Sequence, residues 1–412
     1  MKKLIATIIL AAGMQTAFAQ IPVISSWIVN TTGATGYAGI ESNVQVDQFD
    51  SNYVYISCTC IPGYSIGPWT GNPNIPKNQN FVFKIPRNPV QNTGTADSVG
   101  LGQMAVWSNG VAAYNASDAM TYNNDGTWHR NAYYFEGVSF DNCLGHPDQS
   151  GCYHHHVNPT CLYNDKDSTT HSPIIGYAFD GYPIYGAYGY SNPTNSSSAI
   201  KRMTPSYQLR KMVNRDTLPN GTVCTVAKQG PAVSSTYPIG DFLEDYSYIA
   251  SSGDLDSHNG RFCVTPEYPS GTYAYFVTID AKQTPVYPYV LGYTYYGKIA
   301  SGNTGPGGGH VTPPGGTVVY TPTGINEVTK NITSTIEPNP TQDYTYIYID
   351  PSSDNNITAV LYNSQGQKMQ SFVNWHPSMS YALNLSGYPA GVYFLNLQTE
   401  NTHAVQKIVK VN

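Results

Sequence analysis

A chain of 412 residues is longer than one typical domain, so two or three folded units are expected. Charged residues make up only 11% of it, the net charge is −6, and no basic patch occurs, which excludes nucleic acid as an expected partner. Tyrosine (35), glycine (38) and proline (29) are abundant, a mixture that favours short strands and turns over long helices.

Residues 1–19 have the pattern of a secretory signal. Lys2 and Lys3 give the charged start, Leu4 to Ala12 the apolar centre, and Ala17-Phe18-Ala19 a small-x-small cleavage site. The apolar run is too short to span a bilayer, and no later segment could span one. An exported, soluble protein starting at Gln20 is expected. Seven cysteines fit an oxidising compartment, and the odd count leaves one unpaired or otherwise used. Local pairs are Cys143 with Cys152 or Cys161, and Cys224 with Cys263. Cys58 and Cys60 share a strand face and cannot easily bridge each other within a flat strand. A metal-ligating cysteine stays open.

From Trp27 to Val106 the chain has strand-like runs: Val44-Gln-Val46, Tyr53 to Ile56 and Phe81 to Ile85, separated by Pro and Asn clusters. Asn109-Gly110 between Met104-Ala-Val106 and Val111 to Tyr114 predicts a hairpin. Trp128, Ala132, Phe135 and Glu136 recur at roughly helical spacing, predicting a helix within Asp125 to Val138.

Phe140 to Gly186 holds five of the ten histidines (His146, His154, His155, His156 and His171) and three of the seven cysteines. Tyr153-His154-His155-His156-Val157, bounded by Gly151 and Pro159, predicts a strand. On a strand, His154 and His156 share one face and His155 takes the other. Two imidazoles at i and i+2 can meet one ion, and imidazole suits zinc, copper, iron and nickel. The competing reading is a polar strand face of hydrogen-bonded histidines. His146 lies on the segment entering the strand. Glu136, Asp141 and Asp254 are candidate oxygen ligands or acceptors that orient imidazoles.

Asp180-Gly181 predicts a second hairpin, with Asp180 as a turn former. Thr204 as cap and Pro205 at the first position predict a short helix over Ser206 to Val213. Pro147 to Asn158 is echoed by Pro266 to Thr278, with Tyr153 matching Tyr273, and Ala274 and Phe276 standing where His154 and His156 stand. An internal repeat and chance likeness in a Tyr/Gly-rich chain both account for this.

The strand Tyr153 to His156 resembles that of the YHYH domain, a bacterial family named for a Tyr-His-Tyr-His strand. Here His155 takes the place where that family often has Tyr. Ile175-Gly-Tyr-Ala-Phe-Asp-Gly-Tyr-Pro-Ile-Tyr-Gly186, His258-Asn-Gly-Arg261 and Tyr287-Pro-Tyr-Val-Leu-Gly292 extend the resemblance over about Trp27 to Ala300. The density of short strand-like runs and turn pairs predicts a mostly β domain with few short helices over residues 20–300, and the resemblance makes His258 a further candidate ligand. It implies no activity.

Residues 301–334 are rich in Gly and Pro and predict a linker. Beyond it, regular short strands over residues 335–412 predict a small Ig-like β-sandwich. Pro338-Asn-Pro340, Leu361 to Met369, Leu385 to Phe394 and Lys407-Ile-Val-Lys-Val411 resemble the type A C-terminal sorting domain of the type IX secretion system in Bacteroidetes. The resemblance implies recognition by that machinery through residues 335–412. It also implies export across both membranes to the cell surface or beyond.

Three functional readings compete. The first is a transition-metal site, zinc or copper, at His154 and His156 with His146 and His258 as further ligands. The second is a binding or adhesion module that offers tyrosine rings to glycans or peptides. The third is a disulfide-stapled β domain with purely structural histidines. H-E-x-x-H does not occur, and whether the chain is an enzyme stays open.

Overall fold

Short strands separated by turn pairs dominate, as the sequence composition requires. The structure, a computed structural model, describes residues 21–322 except 306, and residues 332, 334–349, 357–364, 367–376, 379–399 and 403–411. The expected signal segment lies outside the described residues. The chain divides into two units, Met1–Pro322 and Thr323–Asn412.

In the first unit, β1 (Val44–Phe49), β2 (Tyr53–Cys58) and β3 (Phe81–Pro86) form an antiparallel meander. β4 (Gln103–Trp107) and β5 (Ala112–Tyr114) make the hairpin over Asn109-Gly110, with Gly110 at φ 78°. β6 (Ser117–Thr121) pairs with β7 (His129–Asn131), and β8 (Gly145–Pro147) with β9 (Tyr153–His155). β10 (Ile174–Ala178) and β11 (Pro183–Tyr185) make the Asp180-Gly181 hairpin. Two small pairs follow, β12 (Tyr188–Tyr190) with β13 (Ile200–Arg202) and β14 (Tyr207–Leu209) with β15 (Tyr246–Tyr248). β16 (Gly260–Cys263) pairs with β17 (Thr272–Phe276), and β18 (Val318–Val319) adds to the edge of β1.

Among the described residues, helix is confined to single turns such as α1 (Pro22–Ser25) and α2 (Ala132–Phe135). The helix expected over Asp125 to Val138 is therefore reduced to α2. Trp128 is drawn into a side core against Phe242, and 129–131 are taken by strand pairing. The Asn131 side chain then caps α2 by accepting the Tyr133 N–H. The helix expected over Ser206 to Val213 is instead β14, because its backbone pairs with β15 and Tyr207 buries its ring against Tyr248 and Tyr287. In both places tertiary pairing overrides local propensity.

Eight strands form the central sheet, in the order β16-β17-β11-β10-β4-β5-β9-β8. The order is a palindrome. In each half a hairpin (β4–β5 or β10–β11) is followed by an antiparallel pair (β8–β9 or β16–β17). The second strand of that pair runs parallel to the second hairpin strand. The halves meet where β4 and β10 pair, with Val106 opposite Tyr177. The same irregularity recurs at equivalent places, between Gln103 and Ala105 and between Ile174 and Gly176. Pro147 faces Tyr153 in one half and Phe262 faces Tyr273 in the other, so the strands from Tyr153 and Tyr273 in the echo fall on equivalent positions, while Phe262 and not Pro266 stands where Pro147 stands.

The turn entering each pair is also shared. The Asp141 carboxylate takes the N–H groups of Cys143 and Gly145 and the Tyr153 hydroxyl. The Asp256 carboxylate takes those of His258, Gly260 and Tyr273. Leu144 (φ 62°) and Asn259 (φ 65°) hold the same left-handed position. At Gly145 and Gly260 a Cβ would collide with the hydroxyl of Tyr153 or Tyr273, so the approach of each tyrosine needs glycine there. The core of this unit is largely aromatic: Trp107, Tyr153, Tyr177, Phe179, Tyr185 and Tyr275 are fully buried.

Residues 301–322, the described part of the Gly/Pro-rich stretch, pack against the first unit. Asn303 is fully buried and exchanges hydrogen bonds with the Lys84 backbone at 2.9 and 2.7 Å. His310 bridges to Val82, and Val318–Val319 join β1.

In the second unit, β19 (Ser334–Glu337), β20 (Tyr344–Ile349), β21 (Ile357–Asn363), β22 (Lys368–Trp375), β23 (Ser380–Asn384), β24 (Gly391–Gln398) and β25 (His403–Lys410) form two antiparallel sheets. Their orders are β19-β20-β23 and β22-β21-β24-β25. Inward residues such as Ile347, Leu361, Leu383, Leu395 and Ile408 make one core, with the alternation of a sandwich.

Candidate metal centre

β8 and β9 place His146 directly opposite His154 in the antiparallel register. Cross-strand partners put side chains on the same face, so the two imidazoles meet. His156, two residues beyond His154, returns to that face. The Nε2 atoms of His146 and His154 are 3.2 Å apart, and those of His154 and His156 are 3.0 Å apart. All three residues are buried. Glu136, just after α2, brings Oε2 to 3.1 Å from His156 Nε2 and 3.5 Å from His146 Nε2.

The far side of each ring is held. His146 Nδ1 meets Ser139 Oγ at 2.7 Å, His154 Nδ1 the Cys152 carbonyl at 3.0 Å, and His156 Nδ1 the Asn115 carbonyl at 2.5 Å. A carbonyl only accepts, so Nδ1 of His154 and His156 carries a proton, which leaves Nε2 of neutral His154 to present a lone pair. Tyr114 stacks on His154 at 3.8 Å, and its hydroxyl donates to Asp148. Phe140 lies edge-on to His146 and parallel to His156. These contacts set both the tautomer and the orientation of the rings.

Burial, and then the neighbouring His156, push the His146 pKa down to about 4. Burial likewise pushes His154 well below its usual value, with His146 and His156 adding to it. Burial pulls Glu136 upward, but its hydrogen bond to His156 and the facing imidazoles outweigh this and leave it lowered. The group therefore holds His146 and His154 neutral beside an ionised carboxylate. Asp118, nearby in the same cleft, is raised to about 6 by burial.

The group opens on a cleft of about 740 Å³ whose walls include Asn72, Asn74, Leu101, Asp118, Phe135 and Ser150. No lysine or arginine lines it among the described residues.

His155 faces the other way, as strand alternation requires. It packs edge-on against Tyr153 and Trp107, is fully buried, and has no hydrogen-bond partner on either ring nitrogen. His258 is not brought to the triad. Its Nδ1 lies 2.9 Å from both the carbonyl and the Oγ1 of Thr294. Its turn, Asp256 to Gly260, is the second half's counterpart of Asp141 to Gly145, which explains why it sits elsewhere. Asp141 faces the turn backbone, not the imidazoles, and Asp254 pairs with Lys201 at 2.8 Å and with Thr204. Ser139, Asn115 and Tyr114 had no signal in the sequence, because the first two act through a hydroxyl and a carbonyl brought in by folding.

Cys143 is bridged to Cys161, one of the two local alternatives. Cys224 and Cys263 are not bridged, since Cys224 packs in the side core with Trp128 while Cys263 lies in the main core.

No curated protein matches the chain. The secretion system C-terminal sorting domain matches residues 335–411, which marks the protein for export to the cell surface or exterior. The YHYH protein family matches residues 82–288, a span that contains the central sheet, the histidine triad and Glu136, and the chain belongs to that family.

Proposed function

We propose that the exported protein binds one transition-metal ion, zinc or copper, through His146, His154 and His156, with Glu136 on the fourth side. The observation that carries this reading is the convergence of three Nε2 atoms, those of His146 and His156 lying 3.2 and 3.0 Å from that of His154 and all three within 4.8 Å of one another, while each Nδ1 is held by an oxygen. Lone pairs facing one another at that distance repel, and burial keeps protons away from His146 and His154. A cation relieves the repulsion, and Glu136 supplies counter-charge. Three imidazoles and a carboxylate suit zinc and copper. A bound ion would supply Lewis acidity toward a ligand entering the cleft. The chain's own residues hold the rings, fix their tautomers and wall the cleft with neutral and acidic groups. His258 is left out of the ligand set because its ring is engaged with Thr294.

Metal analysis of protein supplied with zinc and copper should find close to one ion per chain. His146→Ala, His154→Ala and His156→Ala should each lose it, whereas His155→Ala should keep it. Metal should raise the melting temperature of the unmodified protein by mass action. An unmodified protein without metal, or equal loss at position 155, would overturn the reading. The tyrosine-based alternative is less well supported, since Tyr153, Tyr177, Tyr185, Tyr275, Tyr289 and Tyr295 are core residues rather than a recognition surface.

A further inference from the structure

Outside the Cys143–Cys161 bridge, five cysteines are free thiols. Two of them meet. The Sγ atoms of Cys60 and Cys152 lie 3.6 Å apart across a sequence separation of 92 residues. Both side chains are buried, at 0% and 1% exposure, so nothing but protein surrounds the pair. Cys60 follows β2 and has φ 67°, a left-handed turn off the end of the strand. Its sulfur accepts the Ala112 N–H at 3.3 Å and lies 3.1 Å from the Tyr153 carbonyl, between β5 and β9. The flat-strand geometry that argued against Cys58 pairing with Cys60 thus directs Cys60 toward a different partner.

We propose that Cys60 and Cys152 form a second disulfide in the exported protein. Sulfurs at 3.6 Å are in van der Waals contact, and a bond of about 2.05 Å needs an approach of roughly 1.5 Å shared between two side chains. Exported proteins pass through compartments where such bonds form and persist. The oxidant is an exported thiol oxidoreductase carrying a disulfide, or oxidised glutathione in vitro. One cysteine thiolate attacks the oxidant's disulfide and makes a mixed disulfide. The second thiolate then attacks the cysteine sulfur of that intermediate. The Cys60–Cys152 bond forms, and the oxidant leaves as thiols that have taken up two electrons and two protons. Because both sulfurs end fully buried, the exchange precedes the closure of β9 on β5 during folding.

The bond sits beneath the histidine triad. The Cys152 carbonyl accepts from His154 Nδ1 at 3.0 Å, and the Cys152 N–H donates to Asp148 at 3.0 Å. A bridge to Cys60 would tie the entry of this strand to the end of β2, joining the meander covalently to the central sheet. The inference does not depend on metal binding.

Full-length protein, secreted or refolded with a glutathione redox pair, is denatured and alkylated without reduction. A peptic digest is then fragmented in the mass spectrometer. Three alkylated cysteines are expected, Cys58, Cys224 and Cys263, together with a cross-linked peptide joining Cys60 to Cys152. Cys60→Ser should raise the alkylated count to four by freeing Cys152, and Cys58→Ser should leave the cross-link in place. Five alkylated cysteines, or a cross-link that uses Cys58, overturns the proposal.

Discussion

His155 stands between two proposed ligands but belongs to the opposite face, and its ring is buried without a hydrogen bond. Burial holds its pKa down at about 3, and the neighbouring imidazoles add to this. His146 is held at about 4. In the unfolded chain both titrate near 6.5. Above about pH 6.5 neither state binds a proton, and the full contribution to stability is present. As pH falls from there toward about 4, the unfolded chain takes up protons that the folded chain refuses. Each such group then costs on the order of 1 kcal/mol per pH unit. Metal-free protein should therefore melt progressively lower from pH 6.5 to pH 4. Replacing His155 with Tyr, the residue that Tyr275 provides in the other half, should remove part of that slope and leave metal content unchanged. A melting temperature flat across this range in the unmodified protein would refute the linkage.

At the scale of elements, the two carboxylate-held turns make a matched pair. Asp141 holds the turn before β8 through Cys143, Gly145, Tyr153 and also Gly67, and Asp256 holds the equivalent turn before β16. Asp141→Ala and Asp256→Ala should each cost about 3 kcal/mol in denaturant unfolding, since each strands several buried donors. Only Asp141→Ala should also weaken metal retention against a chelator, because only that turn delivers a histidine to the triad. Equal metal loss in both variants would show that global destabilisation, not ring placement, controls binding. Strand alternation made the shared face of His154 and His156 legible in the sequence, and a two-residue period needs no tertiary information. The cross-strand pairing of His146 with His154 was not legible, because register depends on a turn set by Asp141. Glu136 was visible as an acidic residue nearby, but its helix was overestimated. The helical spacing of Trp128 and Phe135 reflects separate burial in a side core and not a continuous helix. Cys60 and Cys152 could not be associated, since nothing local links residues so far apart.

For the whole molecule, the boundary of the central unit falls after the Gly/Pro-rich segment begins. A chain ending at residue 322 should melt as the full-length central unit does, because the first unit extends to Pro322. A chain ending at residue 300 should melt lower by several degrees. It loses the Asn303–Lys84 exchange and the strand at Val318–Val319. Calorimetry of the two truncations decides this, and identical melting would place the boundary earlier. In the native host both truncations should abolish release, since the sorting domain at 335–411 is gone. The palindromic sheet has a consequence of a different kind. A half-length chain carrying only β4, β5, β8 and β9 could pair with a second copy across β4, and a closed twofold dimer would then build the same eight strands. Every site in such a dimer would be present twice. Joining the halves in one chain removes that constraint: one edge carries three histidines, while the other has Arg261, Ala274 and Phe276 at the equivalent places, with the guanidinium 5.5 Å over the Phe276 ring. Four strands separate the two edges, so substitutions that tune one need not be compensated at the other.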